Sequence, residues 1–219
     1  LESRANAYLN YYEKFEGEKQ SLDSTKWYLS QLRSTEMSID LWVHLLYLNQ
    51  EWQKISALIS KEDYAAEKLK DAWTSYRIGQ GLQNDGRFEE ALTYFNRSLA
   101  IAPGNLEWKN KKGVLLIQLG RIGEGAQLLK ESLALQPKQA EPWVNLGFAS
   151  LQEGNQVYAL ACYNKALQLD PDLAQALLNR AAIYHMQGKD KEASQDLKQI
   201  LLKDPNNTDV KNLLMTLKN

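Results

Sequence analysis

The sequence predicts an all-α protein, a right-handed α-solenoid assembled from helix-turn-helix repeats. Three observations lead there. Gly86, Gly120, Gly154 and Gly188 fall 34 residues apart, and Pro103, Pro137, Pro171 and Pro205 keep the same interval. A third pattern, small against large side chains within each interval, is set out below. A period of roughly 20 to 50 residues marks stacked repeats, because each unit is too small to bury its own apolar face. Stacked repeats offer extended surfaces to other chains, so the expected class of function is protein interaction.

Taken in chain order, residues 1–71 stand outside the period and are predicted to form aromatic-rich helices. Neither Gly nor Pro occurs between Gly17 and Gly79, so helices broken by polar clusters are expected. Ser21–Ser24 and Ser34–Asp40 carry the Ser, Thr and Asp of caps and turns. Leu41–Leu58 reads as a degenerate fifth unit, with Ala57 34 residues before Ala91 and Trp52 in the place of Gly86. Ser60-Lys61-Glu62-Asp63 resembles a capping box, and it predicts a helix reaching about Gln83. Ten of the 21 aromatic residues precede residue 72. Tyr8, Tyr11, Tyr12 and Phe15 make one helical stripe, expected to pack as core on the first repeat. The alternative role is self-association, since Tyr and Trp favour interface centres.

With Ala72 as position 1, four units span residues 72–105, 106–139, 140–173 and 174–207. Position 8 is Gly79, Gly113, Gly147 and Ala181, and position 20 is Ala91, Gly125, Ala159 and Ala193. Small residues there let two helix backbones approach closely. Position 24 (Phe95, Leu129, Tyr163, Leu197) and position 28 (Leu99, Leu133, Leu167, Leu201) fill the seam. Gly at position 15 supplies a left-handed cap to the first helix, and Pro at position 32 stops the second. From Thr208, the helical spacing of Val210, Leu213, Leu214 and Leu217 predicts a capping helix over 208–219.

These residues resemble the tetratricopeptide repeat family. The third unit carries its pattern as Trp143, Leu146-Gly147, Ala159, Tyr163 and Pro171, and the fourth adds Tyr184, Ala193 and Pro205. Ser150 and Gly125 are mild departures. The resemblance implies that first helices line a concave groove. Its expected lining includes Arg77, Gln80, Lys111, Val114, Asn145, Phe148, Asn179 and His185. Asn145 and Asn179 in consecutive units are similar to the asparagine ladder by which some members grip extended peptides. An amide offers both donor and acceptor to a peptide backbone. Other members clamp the acidic tail of heat-shock chaperones with Lys, Asn and Arg at set positions. Here those positions hold Tyr76, Gln80, Lys111, Glu141 and Asn145, so that clamp is absent.

Net charge is −1, from 26 basic and 27 acidic side chains, which argues against nucleic acid or anionic lipid as partner. No run of 18 apolar residues predicts a membrane span. Cys162 reads as a structural thiol, and His44 and His185 lack metal-ligand spacing. Gly79-x-Gly81 and Gly123-x-Gly125 lie within helix pairs, not after a strand, so they are not phosphate loops. No cofactor and no catalysis are expected, and the partner is a protein or peptide. The alternatives are a self-assembling structural protein and a docking domain of a longer enzyme or membrane-anchored protein. The latter fits a chain that begins with Leu rather than Met.

Overall fold

The periodic glycines and prolines divide the chain into helices of nearly uniform length. The computed structural model describes residues 39–58, 66 and 69–217, and every element within them is helical. These are α1 (Ile39–Leu48), α2 (Trp52–Leu58), α3 (Ala72–Asn84), α4 (Phe88–Ile101), α5 (Leu106–Gln118), α6 (Ile122–Leu135), α7 (Ala140–Gln152), α8 (Gln156–Leu169), α9 (Ala174–Met186), α10 (Asp190–Lys203) and α11 (Thr208–Thr216). From α3 to α10, helices of 13 and 14 residues alternate. The all-α solenoid class is as predicted. No helix among the described residues is long and apolar enough to cross a membrane. The aromatic stripe at Tyr8–Phe15 and the polar clusters at 21–24, 34–38 and 60–63 lie outside the described residues.

One backbone device closes each helix pair. Gly86, Gly120, Gly154 and Gly188 have φ of 79°, 76°, 79° and 70°. The next residue's N–H returns to a carbonyl five residues back, as in Arg87 to Leu82 (2.9 Å) and Lys189 to Tyr184 (2.9 Å). This bond satisfies a carbonyl that the helix end would leave open. The same turn joins α1 to α2, where Gln50 has φ 55° and Glu51 N–H reaches the Leu46 carbonyl at 2.9 Å. Gln50, rather than Trp52, thus stands where the other turns hold glycine. The sequence register is off by two residues there because a glutamine gives no sign of a left-handed conformation.

A second correction concerns the start of α3. The predicted helix from Ser60 to Gln83 does not run through, since Leu69–Asp71 is not helical and α3 begins at Ala72. Asp71 is extended (φ −90°, ψ 127°), and its carboxylate accepts the Thr74 N–H at 2.5 Å. An acidic N-cap satisfies an open donor and suits the positive end of the helix.

The chain forms two compact units, one ending at Trp108 and one beginning at Lys109, so their boundary lies inside α5. In the first unit Val43, Leu46, Ile55, Ile78, Leu82 and Phe95 are buried. Tyr76 stacks on Trp108 at 5.0 Å, and Trp73 sets its edge against Trp108 at 4.9 Å. Tyr47 and Trp52 meet edge to face at 5.6 Å. Thr74 donates to Asp40 (2.6 Å) and Arg87 to the Ser56 carbonyl (2.9 Å), tying α3 to α1 and the chain just before α4 to α2. Gly81 is where Ile55 packs, and a Cβ there would lie 2.5 Å from the Ile55 side chain.

In the second unit, position 8 faces position 24. A Cβ on Gly147 would stand 2.6 Å from the Tyr163 ring. Gly125 has a stronger reason to be glycine, since its Cβ would come within 2.4 Å of the Gly113 carbonyl. Leu129, Leu146, Ala149 and Cys162 form one core cluster, and Tyr163, Leu177, Ile183, Leu197 and Val210 belong to another. Burial pushes the Cys162 thiol up to about 11, which keeps it protonated and unreactive. Arg180 crosses the seam to Asp196 with two bonds, 2.8 and 2.6 Å, and donates a third to Asn164. Val210, Leu214 and Leu217 of the C-terminal segment pack on the last cluster, whereas Leu213, expected on the same face, is 48% exposed.

Candidate functional site

The second unit carries a cleft built by its first helices. Val114, Ile117 and Gln118 come from α5, Val144, Asn145 and Phe148 from α7, and Gln175 and Asn179 from α9. Residues three and four apart share one helix face, so each helix contributes a short stripe rather than a single side chain. The cleft measures about 280 Å³. Ile117 and Val144 are buried, Val114, Asn145 and Asn179 are half-buried, and Phe148 is 41% exposed. The lining is therefore four apolar side chains and four primary amides, with no charged group.

The amides are not equivalent. Gln175 Nε2 donates to Asn179 Oδ1 at 3.0 Å, so the donor capacity left on Asn179 is that of its amino group. Asn145 has no hydrogen-bond partner among the described residues, so its donor and acceptor both remain open to an occupant. Behind Asn179 stands the Tyr163 hydroxyl, fully buried. Burial pushes that phenol up to about 12, while the neighbouring Asn179 amide acts in the opposite direction. A lining without titratable groups offers no acid, base or nucleophile. It can hold a chain through hydrogen bonds and apolar contact.

Four of the eight residues expected on the groove, Val114, Asn145, Phe148 and Asn179, meet in this cleft. Lys111 is exposed one turn ahead of Val114 and outside the lining. His185 is also outside, with Nδ1 2.7 Å from Asp190 Oδ1, joining the end of α9 to the start of α10. Arg77 and Gln80 belong to the first unit. Arg77 is not a groove side chain there: it is 6% exposed, with its guanidinium 5.2 Å from the Trp73 ring and 5.9 Å from Tyr47. Aromatic faces attract a guanidinium and repay much of its desolvation. Gln80 is half-buried beside Tyr76. Ile117, Gln118, Val144 and Gln175, which the family resemblance also turns toward the groove, share the lining. Tyr163 fills the seam, and its hydroxyl, a polar group in a core position, is the feature of the sequence that points to its contact with Asn179.

Sequence models of the tetratricopeptide repeat match residues 82–146 and 175–207, and a TPR repeat model matches 149–188. The chain is 32% identical over 93 residues to the Hsp70-Hsp90 organizing protein of Triticum aestivum, covering 42% of this chain and 16% of that relative. It is 26% identical over 151 residues to the Photosystem I assembly protein Ycf3 of Acaryochloris marina, covering 69% of this chain and 72% of that protein. Among solved structures, MamA (AMB-1) superposes with a TM-score of 0.63 at 20% identity, over 77% of this chain and 99% of MamA. That likeness concerns the fold alone. Tetratricopeptide proteins mediate protein–protein interaction. With successive matches that together span more than half of its residues, the chain belongs to the tetratricopeptide repeat family.

Proposed function

We propose that the protein is a non-enzymatic interaction scaffold that holds a segment of a partner polypeptide in the cleft of α5, α7 and α9. The observation that carries this reading is the convergence of four amides and four apolar side chains from three consecutive first helices. Amides pair with a peptide backbone whatever its sequence, and apolar groups gain by leaving water. Both curated relatives are named for bringing other proteins together, which supports the scaffold class. In this reading residues 72–207 act as four repeats and α11 as their cap.

The test uses a peptide selected on the full chain from a random library. Each hydrogen bond nets about 0.5–1.5 kcal/mol, so Asn145→Ala or Asn179→Ala alone should weaken binding roughly two- to twelvefold. Phe148→Ala should cost more, because aromatic anchors dominate interface energetics. Full-strength binding by the folded triple variant would remove the cleft from consideration.

A further inference from the structure

We infer that the cleft selects an uncharged internal stretch of polypeptide anchored by one apolar side chain, and that it rejects carboxylates of side chains and chain ends alike. This rests on the polypeptide-binding reading above and adds the chemistry of the occupant. All eight lining side chains are neutral. A carboxylate entering here would give up part of its water and meet amide donors but no cation, so it gains less than an apolar side chain with neutral backbone does. Lys111 and Glu141 stand exposed one turn ahead of Val114 and Val144 on the same helix faces, Lys112 falls off that face, and Arg180, next to Asn179, is paired with Asp196. Lys111 and Glu141 are opposite in sign, so on the lining faces they offset each other as a pull on an anion.

Apolar and polar parts of the lining divide the work. Ile117 and Val144 are the buried apolar part of the lining and Phe148 its exposed part, so an aliphatic or aromatic side chain seated there would shield the Phe148 ring. A volume of about 280 Å³ suits one such side chain with its adjoining backbone; cofactor and drug-sized pockets run from about 300 to 1,000 Å³. The backbone on either side meets amides of fixed and free polarity. Asn179, its oxygen already held by Gln175, offers an amino group to a carbonyl, and Asn145 can answer either an N–H or a carbonyl. The Tyr163 hydroxyl, fully buried and without a well-formed hydrogen bond, neighbours the Asn179 amide.

The experiment titrates the full chain with a fluorescein-labelled positional-scanning library of N-acetylated, C-amidated nonapeptides, and with the same peptides bearing a free C-terminal carboxylate. Leu, Ile, Met, Val or Phe at one position should bind at least about tenfold tighter than Asp or Glu there, the size of an interface anchor. The free carboxylate should add nothing. Phe148→Ala should flatten the preference with an unchanged circular dichroism spectrum, and Val114→Thr serves if that variant fails to fold. Preference for Asp or Glu, or a required free carboxylate, in binding still weakened by Asn145→Ala would overturn this inference and leave the cleft a polypeptide site. Binding insensitive to Asn145→Ala and Phe148→Ala in folded protein, or no binding by any peptide, would overturn the cleft reading as well.

Discussion

Two glycines in α6 differ by two positions and should respond to the same substitution with opposite signs. A Cβ at Gly123 would meet nothing within 4 Å. At Gly125 it would stand 2.4 Å from the Gly113 carbonyl oxygen, 2.7 Å from Ile117 Cγ1 and 3.2 Å from the Ile117 backbone nitrogen. Two of those atoms are backbone of α5, so relief requires the two helices to separate. Overpacking of this kind costs about 1–3 kcal/mol. Both substitutions also gain helix propensity, up to about 1 kcal/mol for Gly→Ala, and less near a helix end. The gain largely cancels between the twins, so Gly125→Ala should fall about 1–3 kcal/mol below Gly123→Ala. Cys162, the chain's single cysteine and 1% exposed, reports on the second unit alone. Its labelling by a thiol reagent across a urea series should show the gap as roughly 1 M in midpoint, for a slope of about 1–3 kcal/mol per molar. Equal midpoints for the two variants would refute the close approach of α5 and α6.

Four other outcomes are expected. Gln50→Gly should stabilise the first unit by up to about 1 kcal/mol, because a left-handed conformation costs an L-residue about that much, whereas Gly154→Ala should destabilise the second; urea midpoints decide the signs. Asp196→Ala should cost about 1–3 kcal/mol by removing two charge-assisted hydrogen bonds from Arg180, which keeps Asn164, measured by the same thiol labelling. His44 is held neutral by burial and by the charge of Arg77, which lower its pKa from 6.5 to about 3. Unfolded His44 therefore binds the extra proton, and stability present above pH about 6.5 should be lost toward pH 3, by at most about 1.4 kcal/mol per pH unit. His44→Leu should flatten that slope. Asn145→Lys should bring carboxylate-ended peptides into the cleft, detectable by anisotropy, since it supplies the cation the lining lacks.

The period in Gly and Pro made most of the fold legible. Gly at position 15 terminates one helix by its φ, Pro at position 32 terminates the next by its missing N–H, and the lengths between them follow. The seam was equally legible, because small residues at positions 8 and 20 have no purpose except close approach. What was lost lay where a residue acts against its usual preference. Gln50 adopts a glycine's conformation because the helices on either side dictate the turn. Asp71 reads as an ordinary acidic residue until its neighbours are known to be extended. Arg77 sits at a groove position of the repeat, yet Tyr47 and Trp73 draw it into the first unit's interior. In the cleft, the helix register located the lining residues. The Gln175–Asn179 bond and the buried Tyr163 hydroxyl arise from tertiary placement that no spacing reveals.

The central claim is that this cleft is where the partner polypeptide sits. The most direct measurement is a ¹⁵N and side-chain amide NMR titration of the full chain with the tightest library peptide. The account predicts that the largest shifts fall on Asn145, Phe148 and Asn179, with the side-chain amide protons of Asn145 and Asn179 perturbed together with the backbone amide of Val114. Shifts confined to the outward faces of α6, α8 and α10, with the Asn145 and Asn179 side-chain amides unmoved at saturation, would contradict it.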